Sequence, residues 1–224
     1  LRAWLLLLLL LHAPWVSAQG TGARIRFTYE NPKLQPQKYV LTVEEDGTGH
    51  FLSEVDPVAP GDTSPGEASM TIPAAQDRPI HISKVTREAM FAIARKNKLF
   101  AIACDGHEKN IAFQGAKTLE FEGPEGKGSC QYNWSRNSQI NKLTDQMESI
   151  ATTLDEGGKL ERQYEHGRLS LDTELEFLTE MVQQGRATEI ENIAPILKKL
   201  AGDEAVLQRV QRRARALLQA VPAG

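Results

Sequence analysis

A chain of 224 residues with 41% apolar and 25% charged residues has the make-up of a folded protein and is too apolar to be disordered. A formal net charge of −3 with no extended basic stripe argues against nucleic acid as a partner. That length suits one large or two small domains once a leader is removed.

The leader is the first expectation. Arg2 supplies a positive start, seven consecutive leucines run from Leu5 to Leu11, and Val16-Ser17-Ala18 gives the small-residue pattern that signal peptidase reads. The apolar run falls short of the roughly 20 residues that span a bilayer. Residues 1–18 are therefore read as a signal peptide. The competing reading is a short uncleaved anchor. The protein is expected to be exported, periplasmic or secreted, with no stable membrane span after cleavage.

Ile25 to Tyr29 and Tyr39 to Val43 alternate apolar and polar residues, as half-buried strands do. Asp46-Gly47 then gives a hairpin turn that needs positive φ, and His50-Phe51-Leu52 resumes the strand pattern. A calcium loop at the same place would need further alternating ligands and a closing Glu. Asp56 to Ser69, rich in Pro and Gly, reads as a solvated loop. Ile80 to Ile82 is a further short strand. Ser83 is a plausible N-cap for a helix over Val85 to Asn97, and Leu99-Phe100 continue as an extended, buried path.

Cys104 and Cys130 are the only two cysteines. In an oxidising compartment they are expected to bridge, which would stabilise the fold by about 3–4 kcal/mol on the chain-entropy model. Two free buried thiols, or half of a metal site built on Cys104 and His107, are the competing readings. Ile111 to Phe113, Thr118 to Phe121 and Ser129 to Trp134 read as three short strands. Tyr132 and Trp134 are large side chains for the core at the end of this sheet, or, if exposed, an aromatic platform for a ligand.

Ser138 to Leu154 is the joint of the chain. Ile140, Leu143, Met147, Ile150, Ala151 and Leu154 recur every three or four residues and make one apolar stripe on a helix. A lone helix of this length is marginal in water, so the stripe must dock. Gly157-Gly158 is expected to break or kink the chain, with a separate short helix over Lys159 to His166. Asp172 is expected to cap a helix ended by Gly185. Ile190 to Leu200 follows, with Pro195 near its start or at a kink, and Asp203 caps a last helix whose Val206, Leu207, Val210, Ala214, Leu217 and Leu218 face inward.

The fold class expected is α+β: an N-terminal antiparallel sheet with packed helices, followed by a C-terminal all-α cap. The boundaries are 1–18 for the leader, 19–137 for a β-rich α+β domain, 138–154 for the joining helix and 155–224 for the helical region. The stretches YVLTVEEDGTGHF, REAMFAIARKNKLF, IAFQGAKTLEFEGPEGKGSC and INKLTDQMESIATTL together resemble a family of small bacterial domains of unknown function found in exported proteins. That resemblance covers roughly residues 24–154 and implies a fold, with no activity to carry over. IAPILKKLAGDEAVLQRVQRRARALL resembles one helical hairpin of the HEAT-repeat type, a single copy where a solenoid needs about three.

Chemistry is thin. No G-x-S-x-G, P-loop or H-E-x-x-H is present, and His50, His81, His107 and His166 never pair at i,i+4. No catalytic, cofactor-binding or metal-ligating residue is assigned, and no cofactor is expected. Arg209, Arg212, Arg213, Trp134 and Tyr132 are the candidate partner contacts. The arginines can equally serve as a solvated face that complements the helix end and the acidic helix nearby. The sequence favours a non-catalytic binding or scaffold module of the cell envelope, partnered by another envelope protein through the open sheet face or the helical cap. The alternative is an envelope hydrolase acting on glycan or peptide, with Glu120, His107 or Asp105 at its site. The sequence gives no oligomeric state.

Overall fold

In the computed structural model, which describes residues 22–54, 75–107 and 110–220, the chain is an α+β protein. The expected leader over 1–18 and the loop over 56–69 lie outside the described residues. The strands are β1 (Arg24–Glu30), β2 (Lys38–Glu44), β3 (Thr48–Glu54), β4 (Gln76–His81), β5 (Ala116–Gly123) and β6 (Gly126–Tyr132). They form one antiparallel sheet in the order β4-β3-β2-β1-β5-β6. β1 is central, with Phe27 opposite Leu41 on one side and Leu119 on the other. Its Ile25, Phe27 and Tyr29 are buried while Arg24, Arg26 and Glu30 point the other way, as period-2 alternation requires.

The helices are α1 (Lys84–Lys96), α2 (Ser138–His166), α3 (Leu171–Gln183), α4 (Ala194–Gly202) and α5 (Gln208–Gln219). α1 links the β4 edge to β5 and buries Met90, Phe91, Ile93 and Ala94 in the same core as Phe27, Leu41 and Leu119. Ser83 stands at its N-cap but makes no capping bond; its hydroxyl binds Thr86 and, at 2.8 Å, Glu189 of the helical half. Next door, the Asn192 side chain takes the His81 N–H at 2.8 Å and donates to the His81 carbonyl at 2.9 Å. One amide thus occupies the outer rim of β4, where unpaired backbone would otherwise invite another strand.

Between α1 and β5 two expectations fail. Lys98, Leu99 and Phe100 are not extended but lie in a left-handed turn, with φ of 52, 56 and 67°. The turn rests on β6 at Gly128, where a Cβ would stand 2.2 Å from the Leu99 carbonyl oxygen. It drives Phe100 into the core and aims the chain at Cys104, which is bonded to Cys130 across a Cα separation of 5.7 Å. Ile111 to Phe113 is not a strand, and Phe113 is 57% exposed. Among the described residues no strand pairs with this segment; the Asn133 side chain instead accepts from Gln114 N–H at 2.6 Å and donates to the Ala112 carbonyl.

α2 is the element both halves share. Asn137 caps it, accepting from Gln139 N–H at 3.0 Å. Its stripe from Ile140 to Leu154 is buried against the sheet, and from Leu160 onward it belongs to a second core built with α3, α4 and α5. Gly157 and Gly158 neither break nor kink it. They are buried inside a single 29-residue helix, and Lys159 to His166 is its continuation. A Cβ on Gly157 would lie 2.2 Å from Ile193 Cγ2, and one on Gly158 2.6 Å from the Gln76 amide. The pair is there for close approach, at about 1 kcal/mol of helix propensity each.

The caps expected in the helical half are also different. Asp172 lies in the first turn of α3 behind Ser170, and Asp203 precedes α5 by a turn in which it accepts from Ala205 N–H at 2.8 Å. Both carboxylates are held by side chains from elsewhere: Arg209 and Arg213 for Asp172, Tyr164 and Arg168 for Asp203. Val206, Val210, Ala214 and Leu217 are buried as expected, whereas Leu207 is 51% exposed. Pro195 sits in the first turn of α4, where its missing N–H costs nothing. Among the described residues no helix is long and apolar enough to cross a membrane.

Candidate functional site

The residues singled out by sequence do not come together. Tyr132 is buried, its hydroxyl 2.6 Å from Thr144 Oγ1, and burial raises its pKa; it serves the core and presents nothing to a partner. Trp134 lies beyond the end of β6, half-buried, with Gly106 against its ring. Arg213 and Arg209 of α5 are paired with Asp172 of α3, and Arg213 reaches Glu176 as well at 2.8 Å, so they tie two helices together. Arg212 is exposed. Asp105 and His107 pair with each other at 3.0 Å on a surface loop, with the His107 side chain 81% exposed. Glu120 is on the opposite face of the sheet from Cys130, and hence from the loop anchored by Cys104. Its partner is Arg26, at 3.7 Å. Among the described residues, no group of three or more His, Cys, Asp or Glu is placed to hold a metal ion.

Of the concave regions among the described residues, two bear on the charged and aromatic side chains of the sheet and of α2. The first is the face of the sheet turned away from α1 and α2, a shallow trough of about 570 Å³ lined by residues that include Arg26, Thr42, His50, Leu52, Glu120 and Ser129. Its charges form a cross-strand ladder. Arg24 of β1 meets Glu122 of β5 at 2.5 Å, Lys127 of β6 meets the same carboxylate, and His50 of β3 meets Asp77 of β4 at 2.7 Å. The hydrogen bonds from Lys127 and Arg24 hold Glu122 below the usual carboxylate range.

The second is a smaller pocket of about 270 Å³ at the joint, between the end of the sheet, α2 and α3. Tyr29, Tyr39 and Phe51 form one wall, with Tyr29 and Tyr39 stacked at 5.1 Å and Tyr39 tilted against Phe51 at 5.9 Å. Phe177 of α3, 43% exposed, stands on the other side. α2 contributes Glu148, Thr152, Asp155 and Glu156 to the lining, which fall on one side of the helix by their spacing.

The carboxyls of this wall are in unusual surroundings. Burial raises the pKa of Glu148, against the pull of Lys117 at 3.8 Å. Lys117 is itself buried, which lowers its pKa, and its ammonium donates to the Asn133 carbonyl at 3.2 Å and lies 5.5 Å from the Tyr29 ring centre. The Glu156 side chain is only 3% exposed. Its Oε1 accepts from Lys159 at 2.7 Å, while its Oε2 is buried with no donor among the described residues. Burial, only partly offset by Lys159, pushes its pKa up to about 7. Asp155 shares Lys159 at 3.0 Å and accepts weakly from the Gln76 amide of β4 at 3.4 Å.

No family model matches the chain, and no curated protein is significantly similar to it. The site therefore has to be read from its own atoms. Local propensity puts a helix break at Gly157-Gly158, just where the joint pocket lies, and so hides the pocket in the sequence. A signal was available. The apolar stripe passes from Leu154 through the two glycines to Leu160, and Asp155 and Glu156 stand four and three residues before Lys159, the spacing of ion pairs on one helix face.

Proposed function

We propose that the chain is an exported, non-catalytic binding module of the cell envelope that meets another envelope protein across the open face of its sheet. The observation that carries this reading is the asymmetry of the sheet. Among the described residues, α1 and α2 cover one face and leave the other as a trough edged by charged and hydrogen-bonding side chains. Val40 and Leu52 supply apolar area at its centre, and the ladder of opposite charges offers a pattern that a complementary surface can read. Export is supported by the leader-like first 18 residues and by the bonded pair Cys104 and Cys130, which an oxidising compartment sustains. A binding role is supported over a hydrolytic one by the separation of Asp105 and His107 from Glu120, since acid–base work needs its groups within reach of one substrate.

The test is site-specific photocrosslinking of the full chain in its native host. A photoreactive residue at Thr42, in the middle of the trough, is expected to give one discrete adduct in the envelope fraction. The same residue at Glu165, on exposed α2, should give none. Equal labelling from both positions, or recovery of the protein in the cytosol, overturns the reading.

A further inference from the structure

We propose that a second copy of this chain occupies the open sheet face, stacked on it about a twofold axis that runs along the strands between β1 and β5. This rests on the reading of that face as a contact surface and names the partner. The register of the sheet points to it. Glu44, Arg24, Glu122 and Lys127 stand directly opposite one another across β2, β1, β5 and β6. Two residues further along, the same strands carry Thr42, Arg26, Glu120 and Ser129 in a second row. From β2 to β6 the first row runs minus, plus, minus, plus. In reverse, every place holds the opposite sign. The second row, with one plus and one minus, has the same property about the same midline.

A half-turn about that midline lays β1 on β5 of the second copy and β2 on its β6. Arg24 then faces Glu122, Arg26 faces Glu120, Glu44 faces Lys127, and the Thr42 hydroxyl meets that of Ser129. Stacked sheets lie about 10 Å apart, a gap that opposed Arg and Glu side chains fill. Each copy already pairs Arg24 with Glu122 at 2.5 Å and Arg26 with Glu120 at 3.7 Å, so every carboxylate keeps its own guanidinium and gains a second. Other half-turns do worse. An axis across the strands lays arginine-bearing β1 on itself and glutamate-bearing β5 on itself, and like charges exclude both. An axis between β1 and β2 pairs Arg24 with Glu44 but leaves Arg26 over Thr42. Four strands of seven or eight residues present a patch of about 19 by 24 Å, roughly 900 Å² over the two copies. That is the low end for a specific contact and fits a weak, reversible dimer in which β3 and β4 overhang.

The experiment is sedimentation velocity on the oxidised full chain from about 10 µM to about 1 mM. The parent is expected to dimerise reversibly, several-fold more weakly at about 0.5 M salt than at about 0.05 M. Arg26→Glu alone and Glu120→Arg alone set like charges face to face, and each should weaken the dimer by roughly tenfold or more. Both side chains are half-exposed, so both variants should melt close to the parent. Mixing the two variants is the decisive arm. The Arg26→Glu copy carries only acids at these two positions and the Glu120→Arg copy only bases, so the mixture should dimerise about as well as the parent. So should the chain carrying both changes. A chain monomeric at about 1 mM, single variants that dimerise like the parent, or a mixture no better than its components overturns the proposal. The photoreactive residue at Thr42 separates this from the broader reading. An adduct of twice the chain's mass supports the second copy, and a discrete adduct of any other mass overturns it while leaving the sheet face a contact surface.

Discussion

On the open face of the sheet, Glu120 and Glu122 stand half in water beside Arg26, Arg24 and Lys127; at the joint, Glu156 is shut away with Asp155 and shares a single lysine. The residue types are the same and the energetics are opposite. In water, a carboxylate loses little by being charged, and a pair gains little by meeting. Out of water, the charged form is penalised, and one ammonium divided between two carboxyls does not repay the whole cost. The difference teaches where to look for a site in this protein. A trough full of salt bridges is a surface with a pattern, whereas the joint holds a carboxyl whose charged form burial disfavours.

The contrast can be broken most forcefully at Glu156. Its unfolded-state pKa lies near the ordinary 4.5, and its folded value is about 7, so the folded form binds more protons between those values. Stability must then fall as pH rises through that window, and Glu156→Gln removes the fall. The variant should match the parent at pH about 4 and exceed it by about 2–3 kcal/mol at pH about 8, measured by urea denaturation. A parent whose stability is flat from pH 4.5 to 7 would place Glu156 in water after all.

Gly157→Ala gives the next effect and inverts the usual sign. In an ordinary helix the change stabilises by about 1 kcal/mol; here the new methyl meets Ile193, and a loss of about 1–3 kcal/mol is expected in thermal melts. A gain would mean that the two halves can part at this contact. The smallest effect belongs to the open face. A double-mutant cycle on Arg26→Ala and Glu120→Gln should give a coupling of about 0.5 kcal/mol or less, since both side chains are half-exposed and 3.7 Å apart. A coupling several times larger would show that the ladder contributes to the fold as well as to recognition.

Much of the fold was legible because its signals are local and periodic. Ile25, Phe27 and Tyr29 face inward as their alternation says, the Asp46-Gly47 turn joins β2 to β3, and the stripe from Ile140 to Leu154 is buried throughout. The failures share a cause. Gly157-Gly158, the left-handed turn at Lys98 to Phe100, and the reassigned carboxylates of Asp172 and Asp203 are each decided by a neighbour distant in sequence: Ile193, Gly128, Arg213 and Tyr164. Local propensity argues for a break, an extended path and two caps; tertiary contact outweighs it. Of the joint pocket, only the ion-pair spacing of Asp155, Glu156 and Lys159 was visible, because its aromatic wall comes from β1, β2 and β3, more than a hundred residues earlier.

α2 carries a mechanical consequence. An unbroken helix of 29 residues is about 43 Å long, threaded through one core for its first half and the other for its second. The two cores are therefore tied by one continuous backbone, and a displacement of the sheet against the helical cap has to bend this helix or unpack one of its two ends.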